Sequence, residues 1–150
     1  MATRAVTPTE TCEATCLASN LGWLLGQASA VLQRELAIAL EPLDLGQRGF
    51  CVLGTAIDGE YTQIELAKEI GMDKTTMVVT LDQLEADGLV ERKPLATDRR
   101  VRVVAVTRAG KRRYEKAETI VSEVQRDVLA RLPEGQRAAL MSSLNKIVSD

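Results

Sequence analysis

The sequence predicts a mainly helical fold of the α+β class, in which one β-hairpin interrupts a series of helices. Apolar residues recur at three- and four-residue steps along most of the chain, which is the pattern of helices with one buried face. A valine-rich run at residues 101–106 instead has the composition of a strand, and a second short strand is predicted at residues 89–93. A length of 150 residues is enough for one compact domain with a buried core.

The N-terminal part is predicted to hold a loose arm and two helices. Residues 1–11 are polar, contain a proline and lack periodicity, so we expect a flexible arm. Residues 12–40 keep one face apolar, and the Glu-Pro step at residues 41–42 ends this helix because the residue before a proline disfavours helical geometry. A second helix is predicted at residues 46–57, before the Asp-Gly turn at residues 58–59.

Two further helices follow, separated by a turn. Thr62 and Glu65 form a capping box, which begins a short helix that ends at Gly71, a residue that tolerates a left-handed backbone. Asp73 is placed to cap the next helix, which runs to about Asp87. A short helix, a turn and a second helix together form a helix-turn-helix.

The predicted hairpin occupies the position of a wing, because it comes directly after the helix-turn-helix. Its loop at residues 94–100 is too long for a tight turn and carries charge at its tip. A long helix is predicted from Thr107 to about Leu132, and Pro133 suits the first turn of a last helix. The fold predicted from these elements is a winged helix-turn-helix with helices on both sides.

The charge of the chain is distributed unevenly. The formal net charge is only −2, but residues 92–116 hold ten basic and two acidic residues, a local charge of +8, so the remainder carries −10. Residues 1–73 hold four basic and ten acidic residues. A basic segment that begins in the wing is typical of a phosphate-binding face, although charge runs also occur on ordinary solvated surfaces.

Composition disfavours several classes of function. Histidine is absent, and no glycine-rich phosphate loop or paired carboxylate motif is present, so we expect neither an enzyme nor a bound cofactor. Three cysteines without histidine are a poor zinc set, so no metal site is expected. No apolar run is long enough to span a membrane, no secretory signal is visible, and the odd cysteine count fits a reducing cytoplasm.

The helix that begins at Lys74 is predicted to present its N-terminal turns to the major groove of double-stranded DNA. Its candidate contacts, opposite an inward face of Met77, Leu81 and Leu84, are Lys74, Thr75, Thr76, Val78 and Val79. Lysine and threonine can bond phosphates or base edges, and an exposed valine can pack on thymine methyl groups, although partial burial explains one of the valines equally well.

The wing supplies the second group of candidate contacts. They are Arg92, Lys93, Asp98, Arg99, Arg100 and Arg102. Arg100 at the tip suits a narrow minor groove, where the potential is most negative. Asp98 can hold the guanidinium of Arg100 by a bidentate pair, or the two can form a surface ion pair of little consequence.

Several short motifs occur together in a fixed order. They are ELAKEI at residues 65–70, DKTT at 73–76, LEADGLVER at 84–92, DRR at 98–100 and VTRAG at 106–110. Their combination resembles the MarR family of bacterial and archaeal transcriptional regulators, with matching order and spacing from about Leu17 to the C-terminus.

The resemblance implies one domain at residues 12–150, with a winged-helix lobe at residues 45–106. It implies that the helices at residues 12–42 and 107–150 join two chains into a homodimer on a palindromic operator, from which a small phenolic or other apolar ligand, or cysteine oxidation, releases the protein. It also assigns Asp98 and Arg100 to the Asp-x-Arg pair of the family's wing. The chain departs from the family at residues 78–79, where many members have Thr-Arg and this chain has Val-Val.

A ligand pocket is expected between the winged-helix lobe and the dimerisation helices. The candidate lining residues are Trp23, Arg34, Arg48 and Cys51. Packing in the core or in the dimer interface also explains Trp23, and Cys51 has the surroundings of a small core residue. Cys12 and Cys16 share one helix face and offer an oxidant-sensing alternative, although no cluster of cations lies nearby to lower a thiol pKa.

The leading hypothesis is therefore a dimeric repressor that responds to a small ligand. Three alternatives remain open. The winged helix could bind DNA constitutively, it could respond to oxidation at Cys12 and Cys16, or it could serve as a protein–protein interaction module. The steepness of the salt dependence of DNA binding separates the last alternative from the others.

Overall fold

The order of helices and strands confirms the predicted winged helix-turn-helix with helices on both sides. The structure, a computed structural model, describes residues 17–149. The helices are α1 (Leu21–Leu40), a short 3-10 helix (Glu41–Leu43), α2 (Gln47–Ala56), α3 (Gln63–Ile70), α4 (Lys74–Ala86), α5 (Arg108–Leu129) and α6 (Glu134–Val148), and the strands are β1 (Val90–Pro94) and β2 (Arg102–Val106). None of the helices in this part of the chain is long and apolar enough to cross a membrane.

The prediction of one continuous helix at residues 12–40 is wrong. Asn20 has an extended backbone, and its side chain accepts a hydrogen bond of 2.8 Å from the Trp23 amide, so Asn20 caps a new helix that begins at Leu21. The predicted arm at residues 1–11 and the predicted start of the helix at Cys12 lie outside the described residues.

The long C-terminal helix α5 is also shorter than predicted. It ends at Leu129, because the amides of Arg131 and Leu132 bond to carbonyl groups three residues back and tighten the chain into a turn. Pro133 then takes the N-cap position of α6 instead of its first turn. A residue directly before a proline disfavours helical geometry, which explains why α5 does not continue to Leu132.

The helix-turn-helix confirms the predicted capping residues. At the start of α3, the Thr62 hydroxyl accepts a hydrogen bond from the Glu65 amide, and the Glu65 carboxylate accepts one of 2.7 Å from the Thr62 amide. At its end, Gly71 has a left-handed backbone with φ of 70°. The Asp73 side chain caps α4 by accepting a hydrogen bond of 2.9 Å from the Thr76 amide. These local bonds fix the angle between α3 and α4.

One hydrophobic core joins the helix-turn-helix to the helices around it. Its fully buried side chains come from α1, α2, α3, α4, the loop before β1, and β1 itself; the largest are Leu40, Leu53, Leu66, Met77, Leu81, Leu89, Val52 and Val90. Ala117 and Val121 bring α5 into the same cluster. Because α4 and α5 share this core, the DNA-reading helix and the long outer helix are held by the same packing.

The hairpin pairs β1 and β2 antiparallel, with Val90 opposite Val106 and Pro94 opposite Arg102. A further bridge joins β2 to the segment before α3, since the Val104 amide donates a 2.8 Å hydrogen bond to the Tyr61 carbonyl. The middle of β2 is therefore anchored to the segment before α3, while the loop of the hairpin extends beyond the paired strands.

The start of α5 lies unusually close to the start of β1. A Cβ atom added at Gly110 would lie 2.1 Å from the Leu89 carbonyl oxygen and 2.8 Å from Val106 Cγ1. Gly110→Ala is therefore expected to lower the free energy of unfolding by about 1–3 kcal/mol, because the Leu89 backbone must move to admit the methyl group. Urea unfolding at a fixed protein concentration measures this change.

Gly135→Ala is the matched control, since a Cβ atom there has no neighbour within 4 Å and the residue lies in the first turn of α6. We expect no loss of stability in this variant. Equal destabilisation of both variants would contradict the close approach at Gly110.

Candidate nucleic-acid interface

The N-terminal end of α4 presents the first group of predicted contacts. Lys74 and Thr75 are exposed, as predicted for side chains that face a groove. Thr76 is half-buried, and its hydroxyl and amide both donate to the Asp73 carboxylate. A threonine hydroxyl has one donor hydrogen and a phosphate only accepts, so Thr76 cannot donate to a phosphate while it completes this cap. A phosphate contact at Thr76 would have to replace the cap, whereas the hydroxyl oxygen can still accept a hydrogen bond from a base amino group.

The Asp73 cap carries a negative charge at the end of α4. Hydrogen bonds from the Thr76 side chain, and then from the Thr76 amide, hold the pKa of the Asp73 carboxyl below its ordinary value. The ionised carboxylate lies at the N-terminal end of α4, where its negative charge interacts favourably with the positive end of the helix dipole. Lys74 comes directly after it, so the two charges offset each other where α4 begins.

The two valines of α4 differ in exposure. Val79 is 65% exposed, whereas Val78 is half-buried. The structure therefore favours the alternative in which one of the two valines, Val78, is partly buried. A single apolar side chain, Val79, is left on the outer face of α4 for contact with a thymine methyl group.

The wing tip exposes Arg99 and Arg100. The predicted bidentate pair between the Asp98 and Arg100 side chains is wrong: Asp98 Oδ1 instead accepts a 2.9 Å hydrogen bond from the Arg100 amide, and the Asp98 carbonyl accepts one from the Val101 amide. An aspartate that bonds the backbone two residues on is a common turn feature, and here it shapes the loop. Within residues 17–149, the Arg99 and Arg100 side chains form no ion pair, so both cations are available to a phosphate or a minor groove.

The remaining wing cations interact with other groups of the protein, which the sequence did not indicate. Lys93 lies 2.5 Å from a Glu91 carboxylate oxygen, and both side chains are about half-exposed. Arg102 is exposed and makes one long hydrogen bond of 3.4 Å, to the Arg92 carbonyl oxygen. Arg92 itself forms ion pairs with two carboxylates of α4.

Sequence reasoning did not connect Arg92 to its partners Asp82 and Glu85. They lie ten and seven residues before it, and no regular helix or strand spacing links residues across the end of α4. The signal that could have found them is the reversal of chain direction at Gly88, which lays β1 against the C-terminal half of α4.

The four candidate ligand residues are only partly brought together. Arg48 and Cys51 line one cleft of about 330 Å³, whose other lining residues are Gln33, Gln47, Ile70, Gly71, Met72, Asp73 and Thr76. Trp23 and Arg34 do not line this cleft; both are exposed on α1. The cleft reaches the cap of α4 through Asp73 and Thr76, so an occupant would contact the start of the reading helix.

A second cleft of about 420 Å³ lies near the first and shares Cys51 and Ile70 with it. Its wall includes Phe50 and Tyr114, whose rings stack with centroids 5.0 Å apart. Sequence reasoning missed this aromatic pair, because nothing in the sequence indicates that residues 64 positions apart meet.

The cysteines can be described only at one position. Cys51 is half-buried, and burial raises the pKa of its thiol. Cys12 and Cys16, the predicted oxidant-sensing pair, lie outside the described residues. Within residues 17–149, no group of three or more histidine, cysteine or acidic side chains is arranged to hold a metal ion.

Comparison with known proteins relates this geometry to regulators that have been seen on DNA. The sequence profile of the MarR family matches residues 58–101, which span the helix-turn-helix and most of the wing. The transcriptional repressor CouR, solved on a 23-mer DNA duplex, superposes with a TM-score of 0.80 at 28% identity, over 87% of this chain and 94% of that one.

Other similar structures hold small ligands. CouR from Rhodococcus jostii RHA1 bound to p-coumaroyl-CoA has a TM-score of 0.77 at 27% identity, covering 87% of this chain and 93% of that one. A MarR-family protein from Mycobacterium tuberculosis in complex with salicylic acid has a TM-score of 0.73 at 30% identity, covering 86% of this chain and 96% of that one.

The raised pKa of the Cys51 thiol predicts that Cys51 reacts slowly with alkylating reagents. At pH 7–8 we expect iodoacetamide to alkylate Cys51 in the folded protein more slowly than in a free peptide of residues 47–56, because less thiolate is present and the side chain is half-buried. Site-resolved mass spectrometry separates Cys51 from the other two cysteines. Denaturation should remove the difference, and a folded-state rate at or above that of the peptide would contradict it.

Proposed function

The chain belongs to the MarR family of transcriptional regulators, and on this premise we propose that it is a repressor that binds a palindromic operator as a homodimer and leaves it when a small phenolic or apolar molecule binds. Double-stranded DNA, a second copy of the chain and that effector are its proposed partners. We propose that the protein acts in the cytoplasm. Catalysis forms no part of the proposal.

The observation that carries the proposal is that polar and cationic side chains are exposed together at the start of α4 and at the tip of the wing. Lys74 and Thr75 stand at the capped start of α4, and Arg99 and Arg100 stand unpaired at the tip of the wing. A helix N-terminus fits the major groove, and an arginine on a projecting loop fits the narrower minor groove beside it. Phosphate contacts would supply most of the affinity, and Val79 and Lys74 would read base edges.

A second copy of the chain is proposed because the outer helices leave apolar side chains in water. On α1 and α6 the large exposed ones are Leu21, Trp23, Leu24, Leu25, Ile38, Leu140, Met141, Ile147 and Val148. Exposed apolar patches on both terminal helices favour an interface. Trp23, at 41% exposure, would then pack between the two copies. A two-fold dimer matches the two half-sites of a palindrome.

The effector is proposed to occupy the cleft at Arg48. An aromatic carboxylate would find a guanidinium at Arg48 and apolar surface at Ile70 and Met72, which is a suitable lining for a small phenolic acid. The salicylic acid complex of the Mycobacterium tuberculosis relative supports this class of ligand. Because Asp73 and Thr76 also line the cleft, an occupant would disturb the cap of α4 and thereby weaken DNA binding.

The role of the wing is tested with Arg100→Ala. We expect this variant to lose about 1–3 kcal/mol of operator binding while its oligomeric state is unchanged, because a cation is removed from an exposed loop far from the core. Genomic fragments retained by the protein supply the operator, and fluorescence anisotropy at several salt concentrations supplies affinity and stoichiometry. Two chains per duplex are expected, with a log–log salt slope of about −0.9 per phosphate contact.

Arg126→Ala is the control for this measurement, since Arg126 is an exposed cation near the far end of α5. It should bind the operator as the wild type does. Unchanged affinity of Arg100→Ala would remove the wing from the mechanism. Negligible DNA binding at low salt would favour a protein–protein module instead.

The ligand proposal is tested with salicylate and p-coumarate added to the operator complex. Either compound should raise the apparent Kd for DNA, and Arg48→Ala should require about tenfold more of it, because a charge-assisted hydrogen bond is lost. Arg34→Ala, an exposed arginine outside the cleft, should respond as the wild type does.

Two other outcomes would replace the ligand switch. If no phenolic compound weakens the complex, the protein binds DNA constitutively. If hydrogen peroxide releases DNA and the Cys12→Ser/Cys16→Ser double variant no longer responds, the switch is oxidative.

A further inference from the structure

We propose that Arg92 does not bind DNA but acts as a positioning residue, which locks the wing to the recognition helix through Asp82 and Glu85 of α4. We call these three side chains the wing clamp. The inference rests on the proposed DNA-binding function, and it reverses the sequence-based prediction that Arg92 is itself a DNA contact.

The wing clamp joins two elements at three points. One guanidinium nitrogen of Arg92 lies 2.6 Å from Asp82 Oδ1, and the other donates to Glu85 Oε2. The second oxygen of the same carboxylate, Glu85 Oε1, accepts a 3.1 Å hydrogen bond from the Arg92 amide. Glu85 therefore bonds both the side chain and the main chain of Arg92. These two bonds fix the orientation of β1 relative to α4 as well as its distance from α4.

The position of Arg92 in the hairpin makes this attachment effective. Arg92 is the central residue of β1 and pairs with Val104 of β2, so its amide is a main-chain group in the middle of the wing. On the other strand, Arg102 donates to the Arg92 carbonyl oxygen at 3.4 Å. The angle between α4 and the wing is consequently set near the centre of the hairpin, and the tip at Arg100 follows it as a rigid extension.

The charges of the wing clamp argue against a phosphate contact at Arg92. One guanidinium between two carboxylates gives a local charge of −1, which repels a phosphate. Partial burial disfavours the charged form of Arg92, but hydrogen bonds and charge attraction from Asp82 and Glu85 outweigh it and raise the pKa above its ordinary value. The Arg92 side chain is 26% exposed, far less than an arginine that reaches out to DNA.

Removing the two carboxylates distinguishes the two roles by the sign of the effect. If Arg92 positions the wing, Asp82→Asn/Glu85→Gln weakens operator binding, and we expect a loss of about tenfold, because two reading elements lose their fixed angle. If Arg92 contacts a phosphate, the same double variant frees a cation and removes two negative charges beside DNA, so binding becomes tighter. Anisotropy titration of the wild type and the double variant measures this sign.

Glu91→Gln is the matched control. It removes a carboxylate from the same strand, but within residues 17–149 the ion pair of Glu91 is with Lys93, outside the wing clamp. Its operator affinity should equal or slightly exceed that of the wild type. Circular dichroism melting of each variant verifies that the helical fold is retained.

Three further measurements separate positioning from a phosphate contact and from a loss of stability. In the Arg100→Ala background, Arg92→Ala should leave the salt slope of binding unchanged, whereas loss of a phosphate contact at Arg92 would reduce its magnitude by about 0.9. Arg100→Ala should cost less in the Arg92→Ala background than in the wild type, because an unfixed wing no longer presents Arg100 correctly. Arg92→Lys, which keeps the charge but not the two-sided geometry, should restore only part of the affinity.

The outcomes also separate this inference from the function on which it rests. If the wild type binds no DNA, the proposed function and the inference both fail. If the wild type binds DNA and Asp82→Asn/Glu85→Gln binds it more tightly, or if Arg92→Ala reduces the salt slope in the Arg100→Ala background, the inference alone is overturned.

Discussion

The burial of one face of α4 is the constraint on which the rest of the molecule depends. Met77, Leu81 and Leu84 are buried in a core that also takes side chains from α1, α2, α3, the hairpin and α5. Burial of each such side chain stabilises the fold by about 1.5–3 kcal/mol, so α4 cannot rotate without a large loss. Lys74 and Val79 are exposed as a consequence. Apolar packing, not the polar residues themselves, therefore decides which side chains can face DNA.

The same constraint separates stabilising charges from binding charges. Asp73 stabilises the start of α4, but it directly precedes Lys74 in the sequence, so the two residues together add no net charge for a phosphate there. Arg92, in the middle of the hairpin, is likewise neutralised by α4. At the wing tip, Arg99 and Arg100 have no ion-pair partner within the described part of the chain, and neither have Arg102 or the exposed cations in the first turns of α5. Of the ten basic residues at 92–116, only Arg92 and Lys93 form ion pairs within residues 17–149, so most of the local charge of +8 is not neutralised by ion pairs.

Most of the fold could be predicted because its signals are local. The capping box at Thr62, the left-handed Gly71 and the Asp73 cap each depend on residues within four positions, which sequence shows directly. The break at Asn20 was missed because an apolar face continues across it. The site was harder to predict, because Arg92 meets its partners, and Arg48 comes to share a cleft with Asp73, only after the tertiary fold forms. Asp98 was misassigned since proximity in sequence does not decide whether a carboxylate bonds a side chain or a backbone amide.

The ligand cleft lies next to the start of the DNA-reading helix, so the proposed effector could affect DNA binding over a short distance. Gln33 and Arg48 approach it from α1 and α2, while Asp73 and Thr76 form the wall at the start of α4. An effector can shift an equilibrium only by its difference in affinity between two states. All lining residues except Gln33 belong to the winged-helix lobe, so a ligand would act within that lobe, at the cap of α4, and would bind better to a state in which the cap is displaced. Because the wing clamp fixes the wing to α4, a displacement of α4 would move both DNA-reading elements together.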